Sequence, residues 1–258
     1  MNSSDELLSF DRISARYANN SFNDRNALED VTFSLPAAAG LVSLIGPNGC
    51  GKTTVLRVIT GQLQAIQGTI RLAGRDVTNE PTHKRTGLSC VFQRAIDGMC
   101  ASLTVEENLS LMLMGHGPSL FRPLVTPGRT SRLLERAQQL VPKADKETGL
   151  LANLRRVLHK VPTEFSGGEI QQLCLLSVLL QEPPARLVLA DEPTLNLDKA
   201  NRAVCLDMLL ALSKTTTVLI ATHDRELIAQ SARVVMLDQG RLARHEKTPD
   251  SPLSAGAT

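Results

Sequence analysis

The segment Gly46-Pro47-Asn48-Gly49-Cys50-Gly51-Lys52-Thr53, followed by Thr54, carries the residue types of a phosphate-binding loop. Its glycines let the backbone fold tightly enough for successive amide N–H groups to point inward at phosphates. Lys52 is spaced to reach the β- and γ-phosphates, and the Thr53 hydroxyl to ligate Mg²⁺. A chance Gly-rich turn is the plain alternative, and it leaves the full set of motif positions unexplained. The second group is Asp191-Glu192. Asp191 is suited to a Mg²⁺ shell and Glu192 to polarising a water for in-line attack on the γ-phosphate, two jobs that one acid cannot easily share. Solvated acids capping a strand end are the alternative reading of that pair.

Elements must hold these groups in place. The apolar run Leu41-Val42-Ser43-Leu44-Ile45 precedes the loop and the apolar-periodic Thr54-Val55-Leu56-Arg57-Val58-Ile59 follows it, which predicts strand, loop and a helix beginning near Lys52. That helix adds its positive end to the loop. Leu187-Val188-Leu189-Ala190 is an apolar run of strand length, so both carboxylates fall at the carboxyl end of a buried strand, where open α/β sheets place their ligands. Two further strand ends are predicted to present His223, after Thr217 to Thr222, and Gln93, after Gly87 to Phe92. A lone His at a strand end also serves as a surface or packing residue, and Gln93 carries the same ambiguity. An amide there can contact Mg²⁺ and an attacking water without titrating.

Ser166-Gly167-Gly168-Glu169 opens a helix predicted from Glu169 to Leu180. A Ser hydroxyl, bare glycine amides and a helix dipole together make an anion site; in isolation the segment also reads as an ordinary Ser-capped helix start. The order of phosphate loop, Gln93, Ser166-Gly167-Gly168-Glu169, Asp191-Glu192, Leu197-Asp198 and His223 is similar to the nucleotide-binding domain of ATP-binding cassette transporters, from about Tyr17 to Arg244. The resemblance implies an α/β P-loop fold with a mostly parallel core sheet, a small antiparallel β subdomain and a helical subdomain. It implies ATP and Mg²⁺ as ligands and ATP hydrolysis as the activity. Glu192, His223 and Gln93 would be catalytic, and Thr53, Gln93 and Asp191 would hold the metal. Tyr17 would stack on adenine, although a strand residue packed on a small sheet is its other reading. Ser166 to Glu169 would face the γ-phosphate of an opposite subunit, a second copy or a homologous ATPase, and Asp198 would cross the same interface.

The stretch from Phe92 to Met99, leading to Ser102 through Leu109, looks like the ATPase subunits of bacterial importers of small solutes such as amino acids. That resemblance implies a separate transmembrane permease, a solute-binding protein for import, and a peripheral place on the cytoplasmic side of the membrane. Arg94 to Leu103 would form a groove for a short permease helix or else only pack the helical insert. A soluble ABC-type ATPase acting on nucleic acid, ribosomes or complex assembly is the second function class. Against it stand the single cassette, the lack of a long heptad segment and the lack of an aromatic-plus-basic surface, so no direct nucleic-acid contact is expected. Phe165, Glu169, Gln172 and Leu195-Asn196 depart from the family pattern. Glu169 places a negative charge near the opposing γ-phosphate and is expected to weaken ATP-driven dimerisation.

The chain has 258 residues with 42% hydrophobic content, enough for one large domain with an insert. A net charge of +2 gives no whole-chain argument for nucleic acid or anionic membrane. The middle segment is locally basic, through Arg122, Arg129, Arg132, Arg136, Lys143, Lys146, Arg155, Arg156 and Lys160. It reads as a solvated helical face, or as a surface towards a bilayer or permease. The five cysteines lack metal-like spacing and fit reduced thiols in a cytosolic chain. Cys50, beside a lysine and a helix amino end, is expected to be reactive. No stretch of about 20 apolar residues exists to span a membrane. The expected organisation is a β-rich start from Phe10 to Pro36, one cassette over 1–245 with a helical insert over 104–181, and a frayed tail over 246–258. Gly115, Gly117, Pro118, Pro123, Pro127 and Gly128 are expected to form a loop within the insert.

Overall fold

The computed structural model describes residues 6–17, 26–113, 123–140 and 149–247. Two sheets lie among the described residues. Strands β1 (Glu6–Ala15), β2 (Leu28–Pro36), β4 (Ala65–Leu72) and β5 (Arg75–Asp76) form an antiparallel sheet in the order β2-β1-β4-β5. Strands β3 (Leu41–Ile45), β6 (Leu88–Val91), β7 (Leu187–Asp191), β8 (Thr217–Ala221), β9 (Arg233–Asp238) and β10 (Arg241–Lys247) form the other, in the order β10-β9-β3-β8-β7-β6. All its pairings are parallel except β9 with β10. Strands β3, β7 and β8 are buried along almost their whole length, as their near-continuous apolar runs require of a sheet covered on both faces.

Helix α1 (Lys52–Thr60) and the small sheet cover one face, packing Phe10, Ile13, Val55 and Ile59 against Leu44 and Leu219. Phe10 pairs with Phe33 across β1 and β2, their ring centroids 4.9 Å apart. The carboxyl end of α1 is clamped by Arg85, which is 4% exposed and donates to the Val58 and Ile59 carbonyls at 2.6 and 2.9 Å. Between β6 and β7 lie α2 (Val105–Met112), α3 (Pro127–Leu140), α4 (Leu154–Val157) and α5 (Gly167–Leu180). Helix α5 is apolar around most of its circumference and is buried accordingly, with Leu173 and Leu176 in the second core beside Val188, Ile220 and Leu209 of α6 (Lys199–Ser213). Among the described residues the last helix is α7 (Arg225–Ala229).

The structure departs from the sequence expectations in four places. Pro127 and Gly128 open α3 instead of continuing a loop, because proline at the first helical position gives up an N–H that has no partner there anyway. Helix α5 begins at Gly167, two residues before Glu169. Glu246 and Lys247 belong to β10, opposite Val234 and Arg233, instead of to a frayed tail. Strands β4 and β5, beyond the phosphate loop, complete a sheet expected to end at Pro36. Gly115, Gly117, Pro118, Arg122, Lys143, Lys146 and residues 248–258 lie outside the described residues.

Candidate nucleotide site

The loop from Gly46 to Gly51 joins β3 to α1 at the carboxyl edge of the parallel strands. Gly46 has φ of 147°, and a Cβ there would sit 2.1 Å from the Leu237 carbonyl oxygen, so no other residue fits. The loop is pinned to the β9–β10 turn by the Gly240 N–H donating to the Cys50 carbonyl at 3.0 Å. The Cys50 side chain points inward and is 3% exposed within the core that holds Leu28 and Leu44. Burial therefore removes the solvent access on which the expected thiol reactivity depended.

Lys52 opens α1 with its side chain 8% exposed as a residue, and its ammonium donates to the Gly46 carbonyl at 2.8 Å, the Pro47 carbonyl at 3.2 Å and His223 Nε2 at 2.9 Å. Asp191, the last residue of β7, is hydrogen-bonded to the Thr53 hydroxyl. Gln93 stands two residues beyond β6 and lines a cavity of about 220 Å³ together with Thr53, Arg57, Cys90 and Asp191. Three oxygen-bearing side chains from three elements thus border one space, a donor set suited to a hard cation such as Mg²⁺. Burial raises the Asp191 carboxyl above its ordinary pKa, opposed by the Thr53 hydrogen bond and the charges of Arg57 and Lys52.

Glu192 follows with φ of 46°, a left-handed backbone that a glutamate holds only at a cost of about 1–3 kcal/mol. Its N–H donates to the Ala221 carbonyl at 2.8 Å, and its Oε2 accepts the His223 N–H at 3.3 Å. Its other oxygen lies 3.5 Å from His223 Nε2. Burial also raises the Glu192 carboxyl, with the His223 backbone N–H hydrogen bond and the Lys52 charge opposing and Asp191 reinforcing. Sequence reasoning missed what holds this turn. Thr194 donates to Asp224 at 2.9 Å, while Arg202 of α6 grips the same carboxylate through two nitrogens at 2.9 and 2.7 Å. Burial pushes the Asp224 carboxyl up, but Arg202 and Thr194 outweigh it and hold it below the usual range. One ion pair therefore ties together the strand ends that present Glu192 and His223.

Ser166 caps α5 in a reciprocal box. Its hydroxyl and its N–H both donate to Glu169 Oε2 at 2.8 Å, and it accepts the Glu169 N–H at 3.3 Å. A Cβ on Gly168 would lie 2.7 Å from Asn201, so the start of α5 abuts the start of α6. Gln172 donates to Asn201 at 2.6 Å, and Asp198 caps α6 by accepting the Ala200 and Asn201 N–H groups at 2.9 Å each. Ser166 and Glu169 line a hollow with Lys199 and Asn201, separate from the cavity at Thr53, Gln93 and Asp191. The structure thus brings Gly46 to Thr54, Gln93, Asp191, Glu192 and His223 together and leaves Ser166 to Glu169 and Asp198 on another face. Tyr17 Oη lies 3.3 Å from Thr54 Oγ1. Ala95 of the expected permease groove is buried beside Ile170 and Cys174, with Ile96, Met99 and Phe165 packed against them.

A phosphate loop, paired carboxylates at a parallel strand end and a capped glycine pair on a separate helix define an ATP-binding cassette. The sequence profile of the ABC transporter family matches residues 28–195, and the chain belongs to that family. It is 31% identical to the spermidine/putrescine import ATP-binding protein PotA of Protochlamydia amoebophila over 92% of this chain and 57% of that protein. It is 32% identical to the lipoprotein-releasing system ATP-binding protein LolD of Treponema pallidum over 84% of this chain and 89% of that protein. The chain thus spans about half the length of the PotA relatives it matches, from 43% to 57% in four of them. A solved ATP-binding subunit of an ABC transporter superposes with a TM-score of 0.70 at 26% identity, covering 93% of this chain and 90% of that one. The dimeric cassette MJ0796 bound to ADP and Pi superposes with a TM-score of 0.71 at 23% identity, covering 93% and 98%, and shares the fold.

Proposed function

We propose that this chain binds and hydrolyses ATP as the cassette of an ABC transporter, closing as a dimer on nucleotide and driving a separate permease. The observation that carries the reading is the meeting of Lys52, Thr53, Gln93, Asp191, Glu192 and His223 at one edge of the parallel sheet. The loop amides from Gly46 to Thr54 hold the phosphates, and Lys52 exchanges its two carbonyl partners for β- and γ-phosphate oxygens. Thr53, Asp191 and Gln93 would hold Mg²⁺, which when bound would neutralise charge on the phosphate oxygens. Glu192 accepts the proton of the attacking water, and His223 orients toward the γ-phosphate. Tyr17 provides the base platform.

The separate hollow at Ser166 supports a dimer in which that cap completes the site of a second cassette, with Asp198 at the shared face. Among the described residues no helix is long and apolar enough to cross a membrane, which fits a peripheral subunit beside a permease on the cytoplasmic side. Import is the proposed direction, supported by relatives named for spermidine/putrescine and thiamine import. The test is to tag the Glu192→Gln variant, trap it with MgATP in native membranes and identify what co-purifies by mass spectrometry. A polytopic permease, with a solute-binding protein, is expected; ribosomal or DNA-associated partners alone would overturn the transport reading.

A further inference from the structure

We infer that Arg57 is the positioning residue for the Tyr17 ring and thereby sets the affinity for the nucleotide base, an inference that rests on the proposed ATP site. The Arg57 guanidinium carbon lies over the ring, 5.8 Å from its centroid, and Nη1 donates to the phenolic oxygen at 3.3 Å. The same oxygen meets Thr54 Oγ1 at 3.3 Å. Arg57 and Thr54 stand three residues apart on α1, and i,i+3 neighbours share a helix face. Helix α1 therefore holds the phenol at its hydroxyl and covers one ring face with a cation.

Two consequences follow. A guanidinium occupying one face leaves the other for a stacked base, so adenine, phenol and guanidinium would form a three-layer stack with attraction across both contacts. The ring is also fixed to the helix that opens with the phosphate-binding Lys52, so base site and phosphate site keep a constant separation. Lysine in place of Arg57 would keep the charge and lose the planar fork that addresses ring and hydroxyl together.

Tyr17 is the only tyrosine in a chain without tryptophan, so tyrosine fluorescence and the tyrosine band of the near-ultraviolet circular dichroism report this one ring. Arg57→Ala should change that band in nucleotide-free protein and raise the Kd for MgATP about two- to five-fold, as expected for loss of a partly exposed cation–π contact. The affinity for inorganic triphosphate should stay the same, and Arg57→Lys should recover part of the loss. In a Tyr17→Ala background, Arg57→Ala should add nothing. An unchanged tyrosine band, or an equal loss of MgATP affinity with and without Tyr17, would overturn the inference and assign Arg57 to the phosphates or the metal. Failure of the ATP reading itself is told apart by the parent protein binding neither MgATP nor triphosphate.

Discussion

The Lys52 ammonium donates to His223 Nε2 across 2.9 Å, joining the phosphate loop to the strand end that follows β8. An ammonium has no acceptor lone pair, so this contact requires Nε2 to be unprotonated. On the proposed reading two of the Lys52 N–H groups would turn from the Gly46 and Pro47 carbonyls to phosphate oxygens, and the third would keep its contact with His223. Lys52→Ala should weaken MgATP binding roughly ten- to a hundred-fold, the loss of charge-assisted hydrogen bonds. His223→Ala should lower turnover while changing affinity by only a few-fold. Calorimetric titration beside steady-state ATPase assays separates the two, and equal binding losses would show that His223 holds nucleotide instead of assisting chemistry.

Glu192 accepts a proton only when ionised, and burial raises its carboxyl above the ordinary glutamate range. Turnover should therefore fall with decreasing pH earlier than a solvated glutamate would allow. Glu192→Gln should lower turnover by about 10² to 10⁴ and retain nucleotide. The stability consequence has the opposite slope. For Asp191 and Glu192, whose folded pKa values are raised, the linked stability is present below the unfolded values and is lost as pH rises through the folded ones. Nucleotide-free Asp191→Asn should accordingly unfold at a higher temperature than the parent at neutral pH. A parental rate for Glu192→Gln would remove it from the role of base, and a lower unfolding temperature for Asp191→Asn would show that the carboxylate is stabilised by its neighbours overall.

The parts of the site that were legible in the sequence are those written as contiguous strings. Strand β3, the loop and α1 form one such string, and β7 with Asp191-Glu192 another, because apolar runs mark strands and glycines mark the loop locally. The contact of Arg202 with Asp224 and that of Arg57 with Tyr17 join residues 22 and 40 positions apart, and nothing in either neighbourhood announces the other. Strand β4 was missed because only Ile70 and Leu72 of its eight residues are buried, which leaves little apolar pattern to read. Glu169 was legible as a charge. Its engagement with Ser166 was not.

In the proposed dimer that engagement would change what an opposing phosphate meets. The single proton of the Ser166 hydroxyl is already donated to Glu169 Oε2, and the carboxylate sits at the same helix end that an anion would approach. Glu169→Gln keeps a residue able to complete the capping box, so α5 should be retained. Removing the charge should lower the MgATP concentration needed for dimerisation of the Glu192→Gln form by up to about five-fold, the scale of an exposed charge contact. Light scattering against nucleotide concentration measures this, and coincident midpoints would mean that Glu169 leaves the phosphate unaffected.

Thiol chemistry tests the inward orientation of the phosphate-loop cysteine. Burial pushes the Cys90 thiol to about 11 and those of Cys174 and Cys205 to about 12, so all three are poor nucleophiles at neutral pH. Cys50 is shielded by the core it packs into. Cys100 is exposed, and the Ser102 hydroxyl, 3.3 Å from its sulfur, holds its pKa below the ordinary thiol value. A maleimide should add first to Cys100, Cys100→Ser should remove the fast phase, and MgATP should leave that phase unchanged. Cys50 should react only on unfolding. Rapid modification of Cys50 in the Cys100→Ser variant, slowed by MgATP, would instead show that its sulfur faces the nucleotide and that the loop turns the other way.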